Sequence, residues 1–382
     1  MTHDPADAAD SAPGHPPYDL DAASSEPLHP RAREVLMAAL DAGYADPRRL
    51  HQGARTARLL LDNARAAAAE ALEVRPDELS FTSSGTDAVH RGLLGLLRPA
   101  SPAPVVHGAV EHSSVLHAAD WAGERISVPV DVRGRVDLAA LRLAVAQARP
   151  TVVALQSANH EVGTRQPIDE TDLPEDVSLF VDACASMGRE PLPRAGHVIA
   201  GSAHKWGGPA GVGVMIVRKR ARWRNPFPAD DRVDERVSGF ENVPAALAAA
   251  AALQAVVSER DELNRTHRSL IDLVRGRMAS VPDVEVVGHG EDRLPHLVTF
   301  SCLYVDGEAL VTELDRRGFG VASGSACTAS TLEPSHVLAA MGVLTHGNVR
   351  LSLHRGSTRE QVEQFCTVLP EVVAELRSRV GL

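Results

Sequence analysis

The stretch from Gly201 to Gly213 (Gly201-Ser202-Ala203-His204-Lys205-Trp206-Gly207-Gly208-Pro209-Ala210-Gly211-Val212-Gly213) holds one lysine among small residues. His204 precedes Lys205 and glycines follow it. A lysine packed among small residues can be desolvated, which lowers its pKa and makes its amine a nucleophile for carbonyl carbons. Alone, the stretch reads more readily as a solvated loop before the strand-like run Val212 to Val217.

Other positions offer matching chemistry. Ser83-Ser84-Gly85-Thr86 lies between a strand-like and a helix-like run. Backbone N–H groups at a helix N-terminus, joined by hydroxyls, suit a phosphate, although an ordinary helix cap explains the same residues. His112 follows Val105-Val106 closely and is suited to stacking on a planar ring or moving protons; a structural histidine is the plainer reading. Asp182 ends the run Leu179-Phe180-Val181, where open α/β sheets place ligands. Its carboxylate can face a cationic ring nitrogen or cap the next segment. Arg350 sits in the alternating run Val349 to Leu353, as a carboxylate clamp or a surface ion pair. Cys327 lies in Ser323-Gly324-Ser325-Ala326-Cys327-Thr328-Ala329-Ser330, whose small residues predict an exposed loop and an accessible thiol. Cys184, Cys302 and Cys366 lie in or beside apolar runs, which predicts burial as small hydrophobes.

The elements that must position these residues alternate. Helical spacing covers 31–42, 51–72, 88–97 and 138–148. Strand-like runs cover 79–82, 104–107, 126–130, 151–155, 178–182, 198–200 and 212–217. Such alternation predicts an α/β fold with a mainly parallel sheet covered by helices. A long helix is expected over 243–278, changing from alanine-rich to charged near Ser258. Beyond it, strands at 284–287, 297–300 and 349–353 and helices at 307–316, 333–341 and 359–376 predict a smaller α+β unit. The expected division is a flexible tail over 1–17, a large unit over 18–257 and a small C-terminal unit over 258–382 carrying the Cys327 loop.

The whole chain narrows the function classes. Its 382 residues, 44% hydrophobic, suffice for a large core. A net charge of −11 offers no basic field for nucleic acid. The alanine-rich run at 244–257 is too weakly apolar for a membrane span. Residues 1–17 lack the basic start and apolar centre of a signal peptide. Four widely spaced cysteines favour neither a disulfide framework nor a zinc site, so a reducing cytoplasm is expected and no metal.

Together these residues resemble the cysteine desulfurases, a branch of the fold-type I pyridoxal-phosphate enzymes, from about Tyr18 to about Leu376. The most specific piece is Ser323-Gly324-Ser325-Ala326-Cys327-Thr328 followed by Leu332-Glu333-Pro334-Ser335-His336-Val337-Leu338, which looks like the long-loop group. Other matching pieces include Phe81-Thr82-Ser83, Glu111-His112, Glu161-Val162-Gly163-Thr164, Val181-Asp182-Ala183, His204-Lys205 and Glu241-Asn242-Val243-Pro244. The resemblance implies that Lys205 carries pyridoxal 5'-phosphate through its amine and abstracts the substrate's Cα proton. It implies that Asp182 keeps the ring nitrogen protonated and that His112 stacks on the ring and moves protons. Gly85, Thr86, Ser202 and His204 would hold the phosphate. Arg350 would bind the carboxylate of L-cysteine, beside Asn159, and Cys327 would take the sulfur as a persulfide for an acceptor protein. A homodimer is implied as well.

The chain departs from the family pattern in places. His160 stands where a second asparagine usually contacts the cofactor's ring oxygen, and takes that role in this reading. Ala185 replaces a glutamine; Val237 and Phe240 replace the arginine and threonine of a loop that commonly reaches the partner subunit's phosphate. These changes suggest a specialised branch, with the desulfurase of DNA phosphorothioation as one candidate beside iron–sulfur assembly. A related pyridoxal-phosphate lyase or aminotransferase, in which Cys327 would be dispensable, is the alternative; a scaffold with a decayed site is the non-enzymatic one.

Overall fold

A computed structural model describes residues 18–42, 45–98, 103–228, 230–323, 334–379 and 381. In chain order the elements are β1 (Tyr18–Asp19), α1 (Pro30–Asp41), α2 (Gln52–Ala71), β2 (Leu79–Thr82), α3 (Gly85–Leu94), β3 (Val105–Gly108), α4 (Ser113–Ala122), β4 (Arg125–Val128), α5 (Leu138–Ala148), β5 (Val152–Gln156), β6 (Ser178–Asp182), β7 (Val198–Ser202) and β8 (Gly213–Val217). There follow α6 (Val243–Met278), β9 (Val284–Val286), β10 (Leu297–Cys302), α7 (Gly307–Arg316), β11 (Phe319–Gly320), α8 (His336–Met341), β12 (Asn348–Ser352) and α9 (Arg359–Arg379).

The larger sheet has seven strands among the described residues, in the order β2-β8-β7-β6-β5-β3-β4. The pairs β3/β4, β3/β5, β5/β6 and β6/β7 are parallel, while β8 runs antiparallel to both neighbours. Burial on both faces explains why β5 to β8 read as continuous apolar runs without alternation. The parallel strands deliver their C-terminal ends to one edge, so Asp182 closes β6 and Ser202 closes β7 there.

A second, antiparallel sheet has the order β12-β10-β9. It carries a separate core of Val298, Phe300, Val349 and Leu351 with Phe365 and Leu369 of α9. Helix α6 belongs to both cores: Val243 to Val256 are buried against the large sheet, and Leu270 to Met278 against the small one. Leu20, at the start of the described chain, is buried in the second core.

Three local differences from the sequence expectations have physical causes. Helix α3 begins at Gly85 rather than Ala88, because the Ser84 hydroxyl accepts the N–H of Asp87 and so caps an earlier turn. Ser113–Ala122, to which the sequence reading assigned no element, is helical; the His112 ring nitrogen accepts the Ser114 N–H and caps it. Strands β1 and β11, two residues each, pair in parallel and were too short to show a period. Among the described residues no helix is long and apolar enough to cross a membrane.

Candidate active site

A cavity of about 250 Å³ opens where the C-terminal ends of the parallel strands meet β12. It gathers Gly85, Thr86, His112, His160, Asp182, Ser202, His204, Lys205 and Arg350, residues scattered over most of the chain. Nothing in the pairing of neighbouring residues brings them together; strand order does.

One end is built by α3 and β7. Gly85 opens α3 against Ser202, and a Cβ placed on it would lie 2.6 Å from the Ser202 Cβ and 2.7 Å from its Oγ. The bare glycine therefore lets the first turn of a helix press on the end of β7. Ser202 Oγ and His204 Nδ1 lie 3.0 Å apart. Burial, with help from the Lys205 charge, pushes the His204 ring down to about 4, so it is neutral near pH 7. Thr86 adds an exposed hydroxyl on the same turn. Helix N–H groups, two hydroxyls and a neutral imidazole make this end an anion cradle.

Asp182 is buried at the floor, its Oδ1 accepting the Cys184 N–H at 2.9 Å. Cys184 was expected to be a buried small hydrophobe. It packs partly buried against an apolar core and also lines the cavity beside Asp182, and burial and that carboxylate push its thiol well above the usual range. Cys302 does sit in the second core, its thiol pushed up to about 12 by burial.

Above Asp182, His112 meets His160 edge-on, with ring centroids 5.0 Å apart and planes at 76°. Burial lowers the His112 ring despite the opposing pull of Asp182. His160 is lowered further, by burial and then by His112 and Arg350. Both rings are thus held neutral. The Lys205 amine donates to the carbonyls of Ala23 and Ser24.

Arg350 reaches the cavity from β12 and donates to Asp21 Oδ1 at 2.9 Å, Ser24 Oγ at 2.7 Å and the His160 carbonyl at 3.1 Å. His296, which burial holds neutral, and Arg189, paired with Glu26, line the same cavity. Asn159, expected beside the substrate, does not line the cavity. It is fully buried; its amide donates to the Val110 carbonyl and its oxygen accepts the N–H groups of Glu161 and Val162. It shapes the turn that presents His160. Cys327 lies outside the described residues.

Sequence reasoning passed over Asp21, Ser24, Arg189 and His296, which lie in segments with no chemical motif, and the thiol of Cys184. Their only signal was polarity next to strand ends, which many surface residues share.

The site fits a planar, phosphorylated cofactor that accepts an amine. The anion cradle is at one end, a buried carboxylate is at the floor and a lysine is at the rim. His160 Nδ1, His296 Nδ1 and Arg350 Nε, all on lining residues, are buried with no hydrogen-bond partner among the described residues, which leaves polar atoms for a ligand. Among the described residues no group of three or more His, Cys, Asp or Glu is placed to hold a metal.

The sequence pattern of the aminotransferase class-V family matches residues 18–365. An IscS-like cysteine desulfurase of Mycobacterium tuberculosis is 34% identical over 381 residues, covering 94% of this chain and 96% of its own. The cysteine desulfurase NifS of Azotobacter vinelandii is 33% identical over 355 residues, covering 88% and 87%. The solved structure of a NifS-like protein superposes with a TM-score of 0.86 at 26% identity, covering 94% of this chain and 100% of that one.

Proposed function

Because the chain belongs to the aminotransferase class-V family and is a pyridoxal-phosphate-dependent cysteine desulfurase, we propose a role for each group around its cavity. The observation that carries the proposal is the convergence of an amine (Lys205), a carboxylate (Asp182), a neutral imidazole (His112) and a guanidinium (Arg350) on one cavity.

Gly85, Thr86, Ser202 and His204 would hold the cofactor's phosphate, Asp182 its ring nitrogen, and Lys205 its aldehyde carbon. When bound, the cofactor supplies an electron sink that makes the substrate's Cα–H acidic and its C–S bond breakable. Arg350 binds and orients the L-cysteine carboxylate, giving up its contact with Asp21 as it does so. The Lys205 amine moves the proton at Cα. His112, neutral and half-buried over the floor, exchanges a proton with the substrate. His160, whose Nδ1 is buried without a partner among the described residues, would bond the cofactor's ring oxygen in place of asparagine.

Cys327 attacks the substrate sulfur. The substrate C–S bond breaks, an S–S bond forms, and the proton of the attacking thiol ends on the former thiol carbon. L-Cysteine and a thiol thus become L-alanine and a Cys327 persulfide, with no outside oxidant. The persulfide passes its outer sulfur to an acceptor protein, in iron–sulfur assembly or in DNA phosphorothioation. The acidic surface favours an acceptor with a basic docking face. Dependence on a free thiol fits a reducing cytoplasm. The exposed apolar side chains Met37, Leu40, Leu50 and Leu59, on and between α1 and α2, support a homodimer through that face. A division of the chain near residue 257, inside α6, separates the unit bearing Lys205 from the unit bearing Cys327 and Arg350.

Cys327→Ser tests the reading. The variant should keep the cofactor's absorbance and its change on adding L-cysteine, yet form alanine at a rate lower by about 10³-fold or more, the loss expected when a nucleophile is removed. Alanine formation at the wild-type rate would instead place the chain with lyases that break the C–S bond without Cys327.

A further inference from the structure

Two motif pieces with no role in the reaction above meet in space. Ser335 Oγ donates to Glu161 Oε2 at 2.6 Å, across 174 residues of chain. Both residues are buried. The direction of the bond is set by a second one: Ser335 Oγ accepts the Leu338 N–H at 3.2 Å as the N-cap of α8, so its own proton goes to the carboxyl. Glu161 Oε1 faces the His160 ring, 3.7 Å from its Nε2, and the Glu161 carbonyl accepts Thr299 Oγ1. One carboxyl therefore links the cap of α8 to the histidine of the cavity.

The helix it holds is docked on the segments that carry both cavity histidines. Val337, Leu338 and Met341 pack on Val110 and Val162, next to His112 and His160. His336 Nε2 lies 2.9 Å from the Glu111 carbonyl. Apolar contact alone lets a short helix slide or turn, whereas a buried hydrogen bond at its cap selects one position. Ser335 also stands eight residues after Cys327 in the sequence.

We infer that Glu161 and Ser335 are positioning residues for sulfur transfer, a clasp that fixes α8 against the segments carrying His112 and His160, on the C-terminal side of Cys327 in the sequence. The inference rests on the desulfurase reading. The clasp touches neither substrate nor cofactor, so its loss should slow the sulfur step and spare cofactor loading and L-cysteine binding.

The test uses full-length enzyme loaded with cofactor, and measures single-turnover formation of the Cys327 persulfide. Cofactor absorbance and the L-cysteine concentration for half-maximal rate are followed in the same samples. Glu161→Ala and Ser335→Ala should each slow persulfide formation by about 10- to 100-fold, as loss of outer-shell partners does. The double variant should be no slower than either single one, since both break the same bond. Glu161→Gln, whose amide oxygen still accepts the hydroxyl, and Ser335→Thr, which keeps one, should stay within a few-fold of wild type. Wild-type rates in both alanine variants, or multiplied losses in the double variant, would overturn the clasp. So would an equal fall in cofactor loading, which marks a purely structural role. A wild-type enzyme that binds cofactor and L-cysteine but forms no persulfide would overturn the desulfurase reading, and this role with it.

Discussion

Arg350 donates to Asp21 across 2.9 Å, so the guanidinium best placed for a substrate carboxylate already holds a carboxylate of the chain itself. Asp21 and Ser24 come from the segment after β1, and Lys205 donates to the carbonyls of Ala23 and Ser24. The same few residues occupy two cationic groups of the cavity, Arg350 and Lys205. Substrate must therefore compete with Asp21. Replacing Asp21 by Asn should lower the KM for L-cysteine by about 3- to 10-fold with little change in kcat, the pattern of a change in ground-state binding. Steady-state kinetics decides it; an unchanged or raised KM would mean that Asp21 orients Arg350 rather than competing for it.

Gly85→Ala places a methyl group 2.6 Å from the Ser202 Cβ and 3.3 Å from the Cys184 Sγ. Helix and strand must separate, at a cost of about 1–3 kcal/mol. The cradle they form widens with them. Cofactor titration followed by absorbance should show affinity weakened by about 10-fold or more, while the apo protein stays folded. Unchanged affinity would remove this glycine from the phosphate site.

Glu161 makes stability depend on pH. Burial, against the opposing bond from Ser335 and charge of Arg350, pushes its carboxyl up to about 7 from the ordinary 4.5. Between those values the folded protein binds a proton that the unfolded chain does not, so stability falls as pH rises through the window. The loss for this one group is on the order of 3 kcal/mol. Glu161→Gln has no proton to lose. Urea unfolding at pH 5 and pH 8 should show the variant gaining on wild type at the higher pH; parallel behaviour would refute the raised carboxyl.

Lys205→Ala should remove the visible absorption band that a lysine-linked cofactor gives and lower turnover to background. Added primary amines should restore part of the band, because they replace the missing nucleophile. A wild-type spectrum in this variant would show that another amine holds the cofactor.

Much of this site was legible in the sequence, and the legible parts share a cause. Asp182 and Ser202 follow short apolar runs, and a residue after a buried strand lands at the ligand edge of a parallel sheet. Lys205 stands three residues after Ser202, and its small neighbours singled it out. Helix α6 was visible throughout because alanine in its first half and leucine, arginine and glutamate in its second are all good helix formers. What was hidden depends on long-range pairing. Asp21 and Arg350 are 329 residues apart, and Glu161 and Ser335 are 174 apart. Local spacing carries no trace of either contact. Asn159 misled because an asparagine beside a motif looks the same whether it faces substrate or holds a turn; only its burial and its three backbone partners separate the two. Helix α4 was missed because its first turn, Ser113-Ser114, has low helix propensity, and His112 supplies the cap that offsets it.

The central claim is that sulfur leaves L-cysteine by way of Cys327. It is tested most directly by mixing the cofactor-loaded enzyme with L-cysteine in the absence of reductant and recording intact and peptide masses. The account predicts one or more added sulfur atoms on the peptide containing Cys327, alanine formed in matching amount, and no added mass in Cys327→Ser. Added sulfur on Cys184 in place of Cys327, or alanine formed with no persulfide at all, would contradict it.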